Sequence, residues 1–182
     1  MLNLLYGIPN LPDLNWDIAV VSDQKSSGTS AGTSSAGSNT RTLNTLKLLT
    51  ANDTLPPNIG YAPSGVDANW IKIDGSTTFT LQAGSYVVYG SVPAYQCLGT
   101  QAFLNVTSPI ATVAVSGTSS YSQTESTYSI LFGGFSLNQE TVFNITQNIG
   151  GALITTGLGR AATAGVSEIY TQIMIMRMRQ RT

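Results

Sequence analysis

Short stretches in which apolar and polar residues alternate run through most of the chain, and this two-residue period predicts β-strands. Turn-forming residues, such as Asp74-Gly75-Ser76 and Ser108-Pro109, separate the stretches. No stretch has the period of an amphipathic helix. The pattern therefore predicts an all-β protein, a two-sheet antiparallel jelly-roll sandwich. The predicted strands include residues 17–22, 41–50, 70–73, 101–106, 112–115, 129–137 and 141–146.

Residues 79–95 form the most apolar part of this pattern. Residues 79–81 alternate up to a turn at residues 82–85, which predicts a hairpin. Residues 86–92 are then apolar on both faces, so we expect a strand that is buried on both sides. One face of such a strand covers the core of its own sandwich, and the other face needs a separate cover. An identical subunit is the simplest cover, and a long loop of the same chain is the alternative.

Residues 79–89 have the spacing F-x-L-x-x-G-x-Y-x-V-Y, which resembles the second-hairpin signature of the C1q/tumour-necrosis-factor (TNF) jelly rolls. Residues 169–176 begin with an early tyrosine and continue with alternating apolar residues, and they resemble the last strand of the same superfamily. Members of that superfamily are trimers. The resemblance therefore implies a C1q/TNF-like fold and a homotrimer, in which these two segments can pair.

Several shorter segments, taken in order, resemble the C-terminal jelly-roll domains of many phage virion proteins. They are a glycine-serine loop followed by residues 41–45 (RTLNT), 81–86 (LQAGSY), 92–95 (VPAY), 117–122 (GTSSYS) and 168–173 (EIYTQI). The resemblance covers about residues 23–178 and implies a virion protein made in the host cytoplasm. After Tyr95 the phage domains often have His and Arg, whereas this chain has Gln96-Cys97-Leu98, so no role of those polar residues is carried over.

The resemblance also implies which residues meet at the threefold axis, because it places the second tyrosine of the hairpin signature and the tyrosine of the last strand there. These are Tyr89 and Tyr170. Alternation along each strand then assigns the other positions to one of two faces. The predicted trimer interface comprises Val87, Tyr89, Tyr170, Gln172, Met174 and Met176. The predicted core positions of the same strands are Tyr86, Val88, Ile169, Ile173 and Ile175.

The composition of the chain excludes most of the common catalytic and metal-binding sites. The chain has no histidine and a single cysteine, Cys97, so it can build neither a Ser-His-Asp or Cys-His site nor an imidazole or multi-thiolate zinc site. It contains no phosphate-binding loop of the form G-x-x-x-x-G-K-[ST]. We therefore predict no enzymatic activity and no cofactor. A hard cation bound by oxygen ligands such as Asp67 or Asp74 stays open.

The low charge of the chain bears on its partners. Charged residues make up 9% of the chain and the net charge is −1, so no overall field attracts nucleic acid. No apolar run approaches the roughly 20 residues that span a membrane, and the first residues lack the basic region of a secretory signal.

Two polar segments predict irregular structure. Residues 26–40 are small and polar, which is typical of a flexible linker, and the pattern of residues 116–126 predicts a polar loop.

The two termini suggest how the protein is attached. Residues 1–16 are apolar and interrupted by prolines, which indicates an extended docking arm preceding a jelly-roll domain at residues 17–182; a strap across the same domain is the alternative. Antiparallel first and last strands bring this arm and an arginine-rich tail to the same end. The predicted docking residues are Leu2, Leu4, Leu5, Tyr6, Ile8, Leu11, Trp16, Arg177, Arg179 and Arg181.

Two functions follow from these features. The first is a trimeric capsid decoration, or cement, protein whose partners are itself and a major capsid protein or tail component. The second is a receptor- or glycan-binding tip of a phage tail fibre, in which exposed loops around Tyr61 and Tyr121 contact sugars. The chain has no shaft or coiled-coil repeat to hold such a tip away from the particle, which favours the first function.

Overall fold

The computed structural model describes residues 16–49, 69–151 and 154–178, and within these ranges every regular element is a β-strand. The strands are β1 (Trp16–Lys25), β2 (Gly37–Thr40), β3 (Thr45–Leu49), β4 (Ile71–Asp74), β5 (Thr78–Leu81), β6 (Gly84–Ser108), β7 (Thr112–Leu137), β8 (Thr141–Ile149) and β9 (Glu168–Met178). The predicted loop at residues 52–69, with Tyr61 and Asp67, lies outside the described residues except for Asn69.

The strands form two antiparallel layers. The first sheet has the order β3-β1-β9-β6-β7 and uses the first half of β6 and the second half of β7. The second sheet has the order β4-β5-β8-β6-β7 and uses the other halves, and β2 pairs with β8 at one end. The predicted two-sheet jelly roll is therefore confirmed.

Strand β6 passes from the first sheet to the second at residues 96–99. Gln96 and Gly99 have positive φ angles of 51° and 60°, and the pairing with β7 is irregular between Tyr95 and Thr100. The left-handed conformation is open to glycine without a steric cost, which allows the strand to turn a corner. The prediction of a loop at residues 116–126 is wrong, because these residues belong to β7 and pair with the part of β6 around this corner. This part of β7 is held by backbone hydrogen bonds and carries mostly polar side chains. Its sequence therefore shows no apolar alternation from which a strand could be predicted.

The core lies between the two sheets and is rich in aromatic rings. Phe79 stacks on Phe143 with ring centroids 5.5 Å apart, and Trp70 stacks on Tyr86 at 5.9 Å. The predicted core positions Tyr86, Val88, Ile173 and Ile175 are buried as expected. Such burial removes apolar surface from water and stabilises the sandwich.

The prediction for Ile169 is wrong, because this side chain is 54% exposed. Strict alternation from Ile173 would have placed Ile169 inside. The alternation fails because the pairing of β1 with β9 is irregular between Ser22 and Gln24, opposite the start of β9. Tyr170 and Thr171, which are consecutive, are consequently both buried.

The hairpin predicted for residues 79–92 is not present in the structure. Residues 79–81 and 86–92 do not form a hairpin, because β5 pairs with β4 and β8 whereas β6 pairs with β7, β8 and β9. The short turn between β5 and β6 instead carries the chain from the second sheet to the first. The predicted pairing of this segment with the last strand is confirmed, since Val87 lies opposite Met176 and Tyr89 opposite Met174.

The small residues at 26–40 do not behave as a flexible linker. They form hydrogen bonds with the segment 154–159, from Ala31 N to Gly159 O at 3.0 Å and from Ser34 N to Ile154 O at 3.0 Å, and they end in β2. Ser34 is fully buried, and a Cβ at Gly157 would lie 1.9 Å from its Oγ. The small side chains therefore allow two backbones to pack closely.

Candidate subunit interface and docking end

The outward side of the first sheet presents a continuous apolar surface, which we call the apolar face. Cross-strand partners define its rows: Val20, Met174, Tyr89 and Phe132 form one, and Ile18, Met176, Val87 and Gly134 form the next. Tyr89 is 50% exposed on the interior strand β6, and Phe132, its cross-strand neighbour on the edge strand β7, is 70% exposed. Large exposed apolar patches on a soluble protein commonly mark interaction sites. The members of the apolar face are Ile18, Val20, Val87, Tyr89, Ile130, Phe132, Met174 and Met176.

The structure brings together four of the six predicted interface residues on this face, and Gln172 lies beside them in the row of Ser22 and Ser91. Sequence reasoning missed Ile18, Val20, Ile130 and Phe132. Their signal was present, since residues 18–21 and 130–132 are apolar at consecutive positions, as residues 86–89 are. Only the pairing of four strands shows that these positions share one surface.

Tyr170 lies apart from the apolar face. Its hydroxyl donates to Thr29 O at 2.7 Å, and a Cβ at Gly159 would lie 2.4 Å from its ring. The two loops that cover the ring leave it 7% exposed within a single chain, and burial raises the pKa of its hydroxyl. Tyr170 therefore has little surface left for a neighbouring subunit.

Glu168 forms hydrogen bonds with two loops next to Tyr170. Its carboxylate accepts hydrogen bonds from Gly28 N, Ala162 N and Thr163 N at 3.2, 3.1 and 2.8 Å. These backbone donors lower the pKa of Glu168, with Ala162 contributing most, because they favour the charged form. One side chain thus connects the loop after β1 to the loop before β9.

We expect the stability of the protein to depend on Glu168 in acid. Its pKa is lower in the folded chain than the ordinary value of 4.5, so its contribution is fully present above that value and is lost as pH falls through the lower, folded pKa. Glu168→Gln should lower the thermal midpoint at pH 7 and lower it less at pH 3. Thermal unfolding of both proteins between pH 7 and pH 3 measures this difference, and a constant gap between them would contradict it.

A buried polar cluster lies between the sheets near the same end. Arg41 is 1% exposed, and its guanidinium donates to Thr171 Oγ1 at 2.8 Å, to Gln147 Oε1 at 3.1 Å and to Leu158 O at 2.7 Å. Burial lowers its pKa to about 10, so it stays charged at neutral pH. The pKa of the buried Asp23 is raised by desolvation, which the nearby Lys25 and Arg41 oppose. The cluster joins both sheets and the segment at Leu158 through one side chain.

The predicted docking end is defined by the pairing of β1 with β9. Trp16 lies opposite Met178, so the described part of the chain begins and ends at the same end of the sandwich. Arg177 is half-buried and lies between Asp17 and Tyr86 in a row that faces the core. An apolar groove of about 310 Å³ lies at this end of the sandwich and is lined in part by Trp16, Val87 and Met178. The other predicted docking residues lie outside the described residues: Leu2, Leu4, Leu5, Tyr6, Ile8, Leu11, Arg179 and Arg181.

Side chains that could bind a metal ion are not clustered in the described ranges. No cluster of three or more His, Cys, Asp or Glu side chains that could hold a metal ion occurs among residues 16–49, 69–151 and 154–178. Cys97 is buried, and its Sγ lies 3.7 Å from Ser34 Oγ. Asp74 accepts a hydrogen bond from Thr80 Oγ1. The part of the chain that the structure describes also contains no helix long and apolar enough to cross a membrane.

Solved structures identify the fold. The chain superimposes on murine APRIL (crystal structure at pH 8.5) with a TM-score of 0.52 and 8% identity, over 90% of this chain and 99% of that one. It also superimposes on Eiger TNF from S. frugiperda with a TM-score of 0.53 and 11% identity, over 92% of this chain and 96% of that one. No family model matches the sequence, and no curated protein matches it. The fold is thus a TNF-like jelly roll, while the resemblance to phage virion domains stays a prediction.

Proposed function

We propose that the protein is a non-enzymatic homotrimer, assembled through the apolar face, that decorates a viral capsid. The observation that carries the trimer is the apolar face itself, in which the neighbouring aromatic side chains of Tyr89 and Phe132 are half or more exposed. Methionine suits a line where three copies meet, because its unbranched side chain adapts to the available space, and Met174 and Met176 lie on this face. The resemblance of residues 79–89 to trimeric jelly rolls supports the same assembly.

The capsid role is supported by the order of segments that resembles phage virion domains, and by the position of the termini. Trp16 and Met178, to which the arm and the arginine-rich tail are joined, lie opposite each other, so a trimer with its axis along the apolar face would bring the starting points of three arms and three tails together. Apolar arms can supply buried area on a viral shell, and arginines can form bidentate pairs with its carboxylates. The partner is thus a major capsid protein, and the localisation is the virion.

The molar mass of the protein in solution tests the proposed trimer. Light scattering at micromolar concentration should give three times the 19.2 kDa of one chain. Obligate interfaces typically bury more than about 2,000 Å² in total, so the trimer should persist on dilution. A monomeric mass would refute the assembly.

The capsid role is tested by deleting residues 2–15, which keeps Trp16 because this residue begins β1 and lies opposite Met178. The truncated protein should remain a folded trimer by mass and circular dichroism, and it should no longer be incorporated into particles. A truncated trimer that still decorates particles at full occupancy would show that the arm is not the anchor. That result would favour the fibre-tip alternative.

A further inference from the structure

The apolar groove beside Trp16 crosses four neighbouring strands on the outward side of the first sheet. Its lining includes a complete row of cross-strand partners, which are Trp16 of β1, Met178 of β9, Ser85 of β6 and Ser136 of β7. Neighbouring strands lie ~4.8 Å apart, so the row from β1 to β7 is roughly 14 Å long. The groove adjoins the apolar face at its edge, where the described chain begins. The lining residues are Trp16, Ser85, Tyr86, Val87, Gly134, Phe135, Ser136 and Met178.

Small residues on β6 and β7 leave the groove open. Ser85, Gly134 and Ser136 lie on the outward side of the sheet, and Gly134 and Ser136 are exposed. Tyr86 and Phe135 alternate with them and face the core, where their ring centroids are 5.7 Å apart. The groove is therefore a depression in the surface of the sheet and not an entrance to the core.

The lining favours an apolar, uncharged occupant. None of the lining residues carries a charge. The three hydroxyl groups of the lining are already paired, since Ser85 Oγ and Ser136 Oγ hydrogen-bond to each other at 3.0 Å and the Tyr86 hydroxyl donates to Gln82 O at 2.7 Å. What the groove offers an occupant is mainly contact with the apolar side chains of Trp16, Val87 and Met178.

A segment of matching chemistry is joined to the chain at the groove. Trp16 both lines the groove and begins β1, and residues 8–12, shortly before it, read Ile-Pro-Asn-Leu-Pro and carry no charge. Proline fixes its own φ near −65°, and the residue before a proline is restricted to extended conformations. Four of these five residues are thus biased toward the polyproline II conformation, in which every third residue lies on the same side.

The length of this segment fits the groove. Five residues in the polyproline II conformation span about 12 Å, close to the width of the row from β1 to β7. Residues 13–15 connect the segment to Trp16, and Asp13 and Asn15 are residue types that favour turns, so the chain can reverse over the sheet. A short tether gives the segment an effective concentration in the millimolar range, which favours it over a segment of another molecule.

We propose that residues 8–12 lie in the apolar groove of their own chain as a polyproline II segment. Proline-rich segments of this kind dock in grooves that present aromatic side chains, and Trp16 supplies one here. The inference does not depend on the proposed trimer or on the capsid role, because one chain supplies both the groove and its occupant. Residues 2–7 stay available as the proposed arm, whereas Leu11, a predicted docking residue, would be covered by its own chain.

Thermal unfolding of the full-length protein, at one fixed concentration, tests whether the segment is seated. Leu11→Asp should lower the thermal midpoint by about 5 °C, because it removes apolar contacts and places a carboxylate in an uncharged groove. Leu4→Asp makes the same change outside the segment, so it is the matched control and should leave the midpoint unaltered. Equal midpoints for the two variants would overturn the proposal, and neither variant alters the described sandwich.

NMR spectroscopy locates the segment. The Met178 methyl group should show nuclear Overhauser effects to Leu11 and Pro12, and Gly134→Leu should abolish them by filling the groove. A Cβ at Gly134 would lie 3.3 Å from Tyr86 O and 3.9 Å from Val87 Cγ2, so a small shift accommodates it. Ser119→Leu, at an exposed position of β7 in the second sheet, is the control and should leave these effects unchanged.

Two outcomes of the NMR experiment would also overturn the proposal. The first is the absence of any such effect between residues 8–12 and either Trp16 or Met178. The second is that the effects appear only between differently labelled chains in a co-assembled sample, which would assign the groove to the arm of a neighbouring subunit.

Discussion

Replacement of Tyr89 by glutamate is expected to leave the protein monomeric at micromolar concentration. Tyr89 is half exposed at the middle of the apolar face, between Met174 of β9 and Phe132 of β7. In a trimer assembled through this face, each subunit would bring one carboxylate into a surface that excludes water, and burying an unpaired charge costs several kcal/mol. The fold of each subunit should survive, because Tyr89 does not contribute to the buried core between the sheets. Light scattering and circular dichroism measure the two effects separately.

Tyr121→Glu is the matched control for this experiment. Tyr121 is 63% exposed and lies on β7 in the second sheet, away from the apolar face. The control should keep the trimer mass of the unaltered protein. A trimeric Tyr89→Glu protein would refute assembly through the apolar face, whatever the control does.

Replacement of Arg41 by alanine is expected to destabilise the protein by roughly 3–5 kcal/mol, the range seen when a buried charged group is removed from its partners. The change leaves Gln147 Oε1 and Leu158 O without the guanidinium that they accept from, and it leaves a cavity between the sheets. It also removes the positive charge that favours ionised Asp23. Urea unfolding at one fixed protein concentration measures the loss, because the stability of an oligomer depends on concentration.

Arg160→Ala is the corresponding control, since Arg160 is exposed. Its guanidinium carbon lies 5.4 Å from the centre of the Tyr95 ring, and its NH1 donates to the Tyr95 hydroxyl at 2.8 Å. An exposed contact of this kind contributes about 0.5–1 kcal/mol. Equal losses from the two substitutions would show that the buried cluster around Arg41 has no special role.

The fold could be predicted from the sequence because its strands alternate and because residues 79–89 carry a specific spacing. Period-two alternation correctly separated Val88 from Val87 and Ile173 from Met174, as it must wherever a strand is regular. It failed at Ile169, because two residues of β9, Tyr170 and Thr171, lie opposite the single residue Asp23 of β1, and this bulge shifts the alternation of β9 by one position. Such an irregularity depends on a partner strand about 150 residues away and leaves no local mark.

The candidate sites were predictable only in part. Tyr89 followed from the resemblance, and Val87, Met174 and Met176 followed from alternation. Phe132 and Val20 join them on the apolar face only through strand pairing. Tyr170 was assigned to the axis by analogy, and the loops that cover it come from small residues whose packing the sequence does not reveal. The part of β7 at residues 116–126 had no signal at all, because serine, threonine and glycine on an edge strand look like a solvated loop.

The position of β9 has a consequence for biosynthesis. This strand lies between β1 and β6, in the middle of the first sheet, although it is the last strand along the chain. While the ribosome is still translating residues 168–178, β1 lacks its neighbour on one side and can pair only with β3. The hairpin of β6 and β7 can form early because its contacts are local. The apolar face is complete only when β9 inserts between them, so a nascent chain that has not yet reached residues 168–178 lacks Met174 and Met176 and with them the middle of the surface proposed for assembly.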